Sequence, residues 1–300
     1  MIIKMLNLKR SICFSLLLLV VVIAKAQQNK VSAAYAFLKS DQLDSARINI
    51  DEAVVHPETA NNAQNWYLRG FIYKSVYNKL EKANKLSPSR LEALTSFKKS
   101  IAIDSSQENK QECIKNIKYL ATTLYNDAAA SLDSVDYKIA ISNFEKFKEY
   151  YLLVDPSPAT IQQKDVDFTL AIASLYTKIF ESDRKKLEFL KLAKDAYNKI
   201  LAYEPNNIFA NYNMGILYYN QAVNLINQSD YDLDIVALND IQDNSINLFK
   251  ESLPFMEKAY ELDPKRRETL LGLSGIYFSL NEFEKSNMYK QKLEEIEKQK

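Results

Sequence analysis

The chain has 300 residues, of which 47% are apolar and 26% are charged, and it contains seven prolines but only four glycines. So few glycines argue against a turn-rich β protein and against flexible linkers between domains. The formal net charge of +1 gives no basic surface of the kind that nucleic-acid-binding domains carry. Composition therefore favours a helical protein whose core is filled largely by its 19 tyrosines and 14 phenylalanines.

Residues 1–26 are predicted to be an export signal. Lys4, Lys9 and Arg10 precede an almost wholly apolar segment, Ile12–Ala24, and Ala24-Lys25-Ala26 offers a small-x-small cleavage site. The apolar segment is shorter than the roughly 20 residues that a membrane-spanning helix needs, so cleavage is favoured over a retained anchor. Cleavage removes four of the 39 cations and none of the 38 acids, which leaves three more acids than cations.

The rest of the chain is predicted to form pairs of helices. Apolar residues recur at the spacing of helix faces, and a proline closes most of the pairs. We predict six antiparallel pairs over approximately residues 31–57, 65–104, 110–156, 160–205, 208–264 and 267–300, with insertions at 78–89 and 227–244. Pro254 falls inside the second helix of the fifth pair, so this helix is expected either to start near Glu251 or to bend there.

One stretch indicates what kind of helix pair this is. Shortly after Pro205 the chain reads Asn211-x-x-Met214-Gly215-x-x-Tyr218, and in the second pair Trp66, Gly70 and Tyr73 have the same spacing. Both segments resemble the W-x₂-L-G-x₂-Y pattern of the tetratricopeptide repeat family. The resemblance implies an all-α fold, a right-handed superhelical solenoid of about six antiparallel helix pairs.

The resemblance also assigns positions that pack one helix against the next. Small residues are needed among them because helices that pack at about 8–10 Å leave no room for a long side chain at the crossing. The expected packing residues are Trp66, Gly70, Tyr73, Ala140, Phe144, Gly215, Tyr218, Ala259, Ser274, Tyr277 and Phe283.

In proteins of this family the first helix of each pair lines a concave face that holds extended peptides or partner helices. The resemblance implies that fifteen positions face this groove: Gln64, Tyr67, Phe71, Lys74, Ser75, Phe209, Tyr212, Ile216, Tyr219, Asn220, Glu268, Leu271, Gly275, Phe278 and Ser279. The candidate partner-binding residues among them are Tyr67, Phe71, Lys74, Tyr212, Ile216, Tyr219 and Phe278. For each residue the alternative is a place in the core, since an aromatic stripe at helical spacing is more often buried than functional. Family members that grip a carboxylate use lysine and asparagine on this face, so the aromatic residues here argue against that role.

The residues give little support for catalysis or for a metal site. His56 is the only histidine, and Cys113 would be the only cysteine after cleavage, so neither a zinc site nor an intramolecular disulfide is expected. Asp230-x-Asp232-x-Asp234 imitates the start of a calcium loop, but Ile235 and Ile241 occupy the positions that need glycine and glutamate. The glycines do not form a phosphate-binding run. We therefore expect no enzyme activity, no cofactor and no metal.

The sequence thus predicts a non-catalytic protein–protein interaction scaffold. It is expected to be exported to the periplasm, the envelope surface or the medium, and the short signal with a Lys/Asn/Ile-rich composition favours a bacterium. The expected partner is a protein or peptide, not nucleic acid, with membrane contact only through a partner or an uncleaved signal. The alternative is a glycan- or small-ligand-binding envelope protein that uses the same aromatic groove. A helical cell-wall hydrolase is disfavoured because no catalytic constellation is present.

Overall fold

The computed structural model describes residues 29–227 and 234–298, and within these ranges the chain forms twelve α helices and no β strand. The all-α class is confirmed. These described residues divide into two compact units: those up to 131 together with 136–161, and 132–135 together with those from 162 onward. The predicted signal peptide lies outside the described residues. Across those described ranges, no helix combines the length and the apolarity that a membrane span requires.

The first unit contains six helices, two of which begin at a capping side chain. They are α1 (29–39), α2 (Leu43–Val55), α3 (Ala63–Val76), α4 (Pro88–Ile103), α5 (Lys110–Ala129) and α6 (Tyr137–Val154). Each helix from α2 to α6 packs against the next one along the chain. The Asn62 side chain accepts a hydrogen bond from the Gln64 amide, and the Ser87 hydroxyl accepts one from the Arg90 amide, so α3 and α4 both begin at capping residues.

The predicted insertion at 78–89 is an ordered connection between α3 and α4. A π-helical turn over Tyr77–Glu81 continues α3. The Glu81 carboxylate then accepts hydrogen bonds from the Ser87 hydroxyl at 2.6 Å and from the Ser89 hydroxyl at 2.7 Å. Because these bonds join the end of the turn to the first residues of α4, the extra residues form a fixed link between the two helices.

Arg90 is the largest fully buried side chain of the described residues, with 1% of its surface exposed. Its guanidinium donates to the Asp127 carboxylate at 2.6 Å and to the Lys85 carbonyl at 2.7 Å, and it lies 5.1 Å from the centre of the Tyr77 ring. One buried cation therefore joins α4 to α5 and to the π-helical turn.

The second unit also contains six helices, the first of which begins just before the boundary between the units. They are α7 (Pro158–Ser182), α8 (Leu187–Tyr203), α9 (Ile208–Asn227), α10 (Ile235–Leu262), α11 (Arg267–Ser279) and α12 (Phe283–Lys298). Tyr176 of α7 packs against Phe189 of α8 with ring centres 5.7 Å apart. From α8 to α12, each helix packs against the next one.

Helix α10 passes through Pro254. The expected start near Glu251 is wrong, because the Asp234 carboxylate caps the helix by accepting from the Ala237 amide at 2.8 Å. A proline inside a helix costs about 3 kcal/mol, and here the buried neighbours Ser252 and Met256 hold the helix through it. Residues 235–244 of the predicted insertion lengthen α10, and residues 228–233 lie outside the described part of the chain.

Equivalent repeat positions make the same hydrogen bond in the two units. The Trp66 indole donates to the Ala60 carbonyl at 2.6 Å, and the Asn211 amide donates to the Pro205 carbonyl at 3.0 Å. Each donor reaches six residues back along the chain and satisfies a carbonyl just before its helix. Tryptophan and asparagine therefore occupy the same repeat position because both carry an N–H that can reach this carbonyl.

The small positions of the repeats lie where helices touch most closely. A Cβ added at Gly70 would lie 2.6 Å from the Phe97 ring, and one added at Gly215 would lie 2.5 Å from the Met256 side chain. At the third such position the chain has Ser274, whose carbonyl accepts from the hydroxyl of α12 Ser286 at 2.8 Å. These contacts explain why small residues stand at all three positions.

The tyrosines of the repeat pattern reach the second helix of the preceding pair. The Tyr73 hydroxyl donates to Asp51 of α2 at 2.6 Å, and the Tyr277 hydroxyl donates to Glu257 of α10. At the same position Tyr218 has the ammonium of Lys194 in α8 4.1 Å from its ring centre. A polar contact thus fixes the register between successive pairs.

Three further packing residues, Ala140, Phe144 and Ala259, are buried. Phe283 is not, since 51% of its surface is exposed, and its assignment as a packing residue is wrong. It is the first residue of α12, and its ring meets the exposed ring of Phe278 edge-on, with centres 5.5 Å apart.

Candidate functional site

A groove of about 700 Å³ crosses helices α9, α11 and α12 in the second unit, and we call it the α11 groove. Its lining residues are Tyr212, Ile216, Tyr219, Asn220, Glu268, Leu271, Gly272, Ser274, Gly275, Phe278, Ser279, Ser286, Asn287, Lys290 and Leu293. Of the positions expected to face a concave surface on α9 and α11, all but Phe209 lie along it. The lining residues on α12 were not predicted, because the family pattern assigns only the first helix of each pair to the groove.

The exposed apolar side chains of the groove lie on α11. Leu271 and Phe278 are 55% and 62% exposed, and Gly275 lies between them on the same helix face. A Cβ at Gly275 would lie 2.8 Å from the Tyr219 hydroxyl. The glycine therefore leaves a low point between two apolar side chains, with a tyrosine hydroxyl next to it.

The α9 side of the groove is held by contacts with the core and with Arg266. The Arg266 guanidinium lies 4.1 Å from the centre of the Tyr212 ring and 3.5 Å from the Glu268 carboxylate. Burial raises the pKa of Tyr212, and the ring stays neutral at physiological pH. Tyr219 packs against buried Phe249 with ring centres 5.6 Å apart. Both tyrosines are thus partly core and partly groove.

Phe209 lies next to the same arginine, outside the groove lining. Its ring is exposed, and the Arg266 guanidinium lies 5.5 Å from the ring centre. The prediction that Phe209 faces the groove together with Tyr212 is therefore wrong, because Phe209 lies outside the groove lining.

The aromatic residues predicted in the first unit line a separate cavity of about 480 Å³ between α1 and α3. It is lined by Val31, Ser32, Tyr35, Leu38, Gln64, Tyr67, Leu68 and Phe71. The rings of Tyr67 and Phe71 meet edge-on with centres 5.0 Å apart, and both contact the buried ring of Phe97. These two residues therefore also contribute to the core of their unit.

Lys74 does not line that cavity. Its ammonium donates to the Asn116 amide oxygen at 2.6 Å and lies over the rings of Phe71 and Tyr119 at 5.3 and 5.2 Å. Burial, together with the nearby charge of Lys115, lowers the pKa of Lys74. Its ammonium is held by residues of its own unit and is a weak candidate for contact with a partner.

The described residues contain no group of three or more His, Cys, Asp or Glu side chains that could hold a metal ion. Cys113 is buried, and burial raises the pKa of its thiol to about 11. Thiolate is the reactive form of cysteine, so this thiol is an inert part of the core.

Comparison with solved structures finds proteins of similar architecture at low sequence identity. MamA from Desulfovibrio magneticus RS-1 is 16% identical over 77% of this chain and 97% of its own, with a TM-score of 0.35. Human IFIT1, solved as a dimer with m7Gppp-AAAA, is 14% identical over 87% of this chain and 58% of its own, with a TM-score of 0.32. The TPR2AB domain of yeast Sti1, solved with an HSP90 peptide, is 14% identical over 91% of each chain, with a TM-score of 0.27.

No protein-family model matches the chain, and no curated protein matches it. The similarity to the solved structures is too low to carry an argument about function. The repeat positions of the chain itself are stronger evidence, because the Trp66/Asn211, Gly70/Gly215 and Tyr73/Tyr277 pairs make equivalent contacts in separate helix pairs. In these contacts and in the stepwise packing of its helices, the chain resembles proteins built from tetratricopeptide repeats.

Proposed function

We propose that the protein is a non-catalytic interaction scaffold whose α11 groove holds a segment of a partner protein. The observation that carries the proposal is the exposed pair Leu271 and Phe278 on either side of Gly275. Large apolar side chains that line a concave surface are typical of protein-binding sites, where a few such anchors supply most of the binding energy. The polar rim of the groove, with Asn220, Glu268 and Lys290, fits the same role.

Export to a bacterial envelope is part of the proposal and rests on the sequence of residues 1–26 alone. The groove-lining residues also weigh against a carboxylate clamp on the first helices, since Tyr212 and Ile216 occupy those positions. We therefore propose a protein or peptide as the partner, and we do not propose nucleic acid as one.

The test is a charge placed in the groove. Phe278→Glu should abolish capture of the partner from an extract of the native host, because a carboxylate would have to be desolvated against an apolar anchor. The side chain is mostly exposed, so the fold should remain intact. Val55→Glu is the matched control, since Val55 is 77% exposed and lies on α2 in the other unit. If Phe278→Glu captures every protein that the control captures, the α11 groove is not the partner site.

A glycan or small ligand is the second candidate, and the size of the groove favours it. Its 700 Å³ falls within the range of about 300–1,000 Å³ that is usual for ligand sites. A ligand supplied at 100 times its dissociation constant should raise the free energy of unfolding by about 2.7 kcal/mol. A thermal-shift screen of oligosaccharides separates the two candidates: a shift that Phe278→Glu removes would favour the ligand-binding role.

A further inference from the structure

The cavity between α1 and α3, which we call the α1–α3 cavity, has the size and the lining of a ligand site in the first unit. Its volume of about 480 Å³ lies within the range of about 300–1,000 Å³ that such sites usually have. Leu38 and Leu68 line it and also pack against the buried core of α1, α2 and α3. Three aromatic rings, those of Tyr35, Tyr67 and Phe71, line it as well. The cavity therefore combines an apolar base with three ring surfaces.

None of the eight residues that line this cavity carries a charge. Burial, together with the charge of Glu112, raises the pKa of Tyr67, so its hydroxyl also stays neutral at physiological pH. Lys39, one helical turn after Tyr35, lies outside the lining, and its ammonium is 4.7 Å from the centre of the Tyr35 ring. An ionised ligand would lose water in this cavity without meeting an opposite charge among the lining residues, and that loss is costly. The lining therefore favours a neutral occupant.

Independently of the α11 groove, we propose that the α1–α3 cavity binds a neutral, apolar molecule with about three aromatic rings. An apolar protein cavity of about 150 Å³ holds one benzene molecule, so a volume of about 480 Å³ has room for roughly three rings. Each ligand ring that packs edge-on or offset against a ring of the cavity should tighten binding by roughly 2- to 10-fold beyond the effect of the area that it buries. An alkyl chain gains nothing from ring geometry, and a charged molecule is disfavoured by the neutral lining.

The test uses N-phenyl-1-naphthylamine, a neutral probe with three rings whose fluorescence rises in apolar surroundings. Trp66 is the only tryptophan of the chain and directly precedes Tyr67 on α3, so a probe in the α1–α3 cavity should be excited by energy transfer from this indole. The full chain should bind one probe molecule that is excited in this way. The related probe 8-anilinonaphthalene-1-sulfonate has the same rings and a sulfonate group, and it should bind at least about fivefold more weakly.

Substitutions of Tyr35 test both the location of the probe and the need for a ring. This side chain is 50% exposed, so its replacement should leave the fold intact. Tyr35→Leu keeps an apolar side chain but removes the ring, and it should raise the dissociation constant of the probe by roughly 3- to 10-fold. Tyr35→Phe keeps the ring and should leave the dissociation constant within about twofold of the wild-type value.

Two variants of the other unit are the matched controls. Tyr203→Leu makes the same change at an exposed tyrosine of α8, and Phe278→Glu alters the α11 groove. Both should leave the dissociation constant of the probe within about twofold of the wild-type value.

The outcomes decide between the occupants of the cavity. An unchanged dissociation constant in Tyr35→Leu would place the probe outside the cavity and overturn the proposal. Tighter binding of the sulfonate probe would overturn the neutral ligand class, with Lys39 as the cation that attracts it. Displacement of the probe by a peptide selected on the full chain, lost in Tyr35→Leu, would assign the cavity to a peptide instead of a small molecule.

The same measurements keep this inference separate from the proposed function. Loss of probe binding in Phe278→Glu, without energy transfer from Trp66, would show that the α11 groove holds the probe and would overturn the inference. Because capture of the partner depends on Phe278 and binding of the probe depends on Tyr35, the proposed function can fail while the α1–α3 cavity still binds its ligand.

Discussion

Arg90→Ala is expected to lower the free energy of unfolding of the first unit by about 3–5 kcal/mol. The guanidinium is fully buried and is bound by the Asp127 carboxylate and the Lys85 carbonyl. Removing it leaves a partly buried carboxylate without its cation, opens a cavity and takes away the contact between α4 and the Tyr77 ring of the π-helical turn. Because small domains are stable by only about 5–15 kcal/mol, a loss of this size is a large share of the total.

The single tryptophan makes this measurement specific to one unit. Trp66 lies in α3 of the first unit, so its fluorescence during urea unfolding reports that unit while circular dichroism reports both. Lys98→Ala is the control, since it removes an exposed ion pair to Glu149 and should cost no more than about 1 kcal/mol. A Trp66 transition for Arg90→Ala that coincides with that of Lys98→Ala would contradict the role given to the buried arginine.

Tyr212→Ala combined with Phe278→Ala should weaken the binding of a peptide that was selected on the wild-type protein. The binding free energy should fall by about 2 kcal/mol or more, which is a roughly 30-fold increase in the dissociation constant. Aromatic side chains that line a concave site bury a large area at a small entropic cost, and they are the commonest anchors at interfaces. The measurement is a titration of the labelled peptide followed by fluorescence anisotropy.

Phe278→Ala alone separates binding from stability in this experiment. Its side chain is mostly exposed and its removal should not change the unfolding midpoint, whereas Tyr212 also packs under Arg266. Leu153→Ala, an exposed apolar truncation on α6 in the other unit, is the matched control. Unchanged affinity in the double variant, with an unchanged midpoint, would remove these residues from the site.

The helical fold could be predicted because its signals are local. A proline follows most of the pairs, and the small residues Gly70 and Gly215 and the tyrosines three residues later serve contacts between neighbouring helices. Arg90 could not be predicted, because an arginine in a sequence is expected at the surface and its partner Asp127 lies 37 residues away. Of the two alternatives predicted at Pro254, a helix start near Glu251 is wrong, since α10 runs through the proline with Ser252 and Met256 buried on either side of it.

The lining of the α11 groove could be predicted only in part from the sequence. The family pattern places Tyr212, Ile216 and Phe278 along one face, but it does not say which of them are exposed. It also gives no reason to include the second helix of the last pair, so Asn287 and Lys290 were missed. Lys74 was predicted to bind the partner because of its repeat position. Its ammonium is instead held within its own unit, by a ring on α3 and by a ring and an amide on α5.

Site-specific photo-crosslinking in the native host tests the central claim most directly. Phe278 is replaced by the photoreactive residue benzoylphenylalanine, and the control protein carries the same residue in place of Val55 on α2. Mass spectrometry of the adducts should identify at position 278 one peptide segment of one partner protein, and that segment should be absent at position 55. Adducts at position 278 that match those at position 55, or none at all, would contradict the assignment of the α11 groove as a protein-binding site.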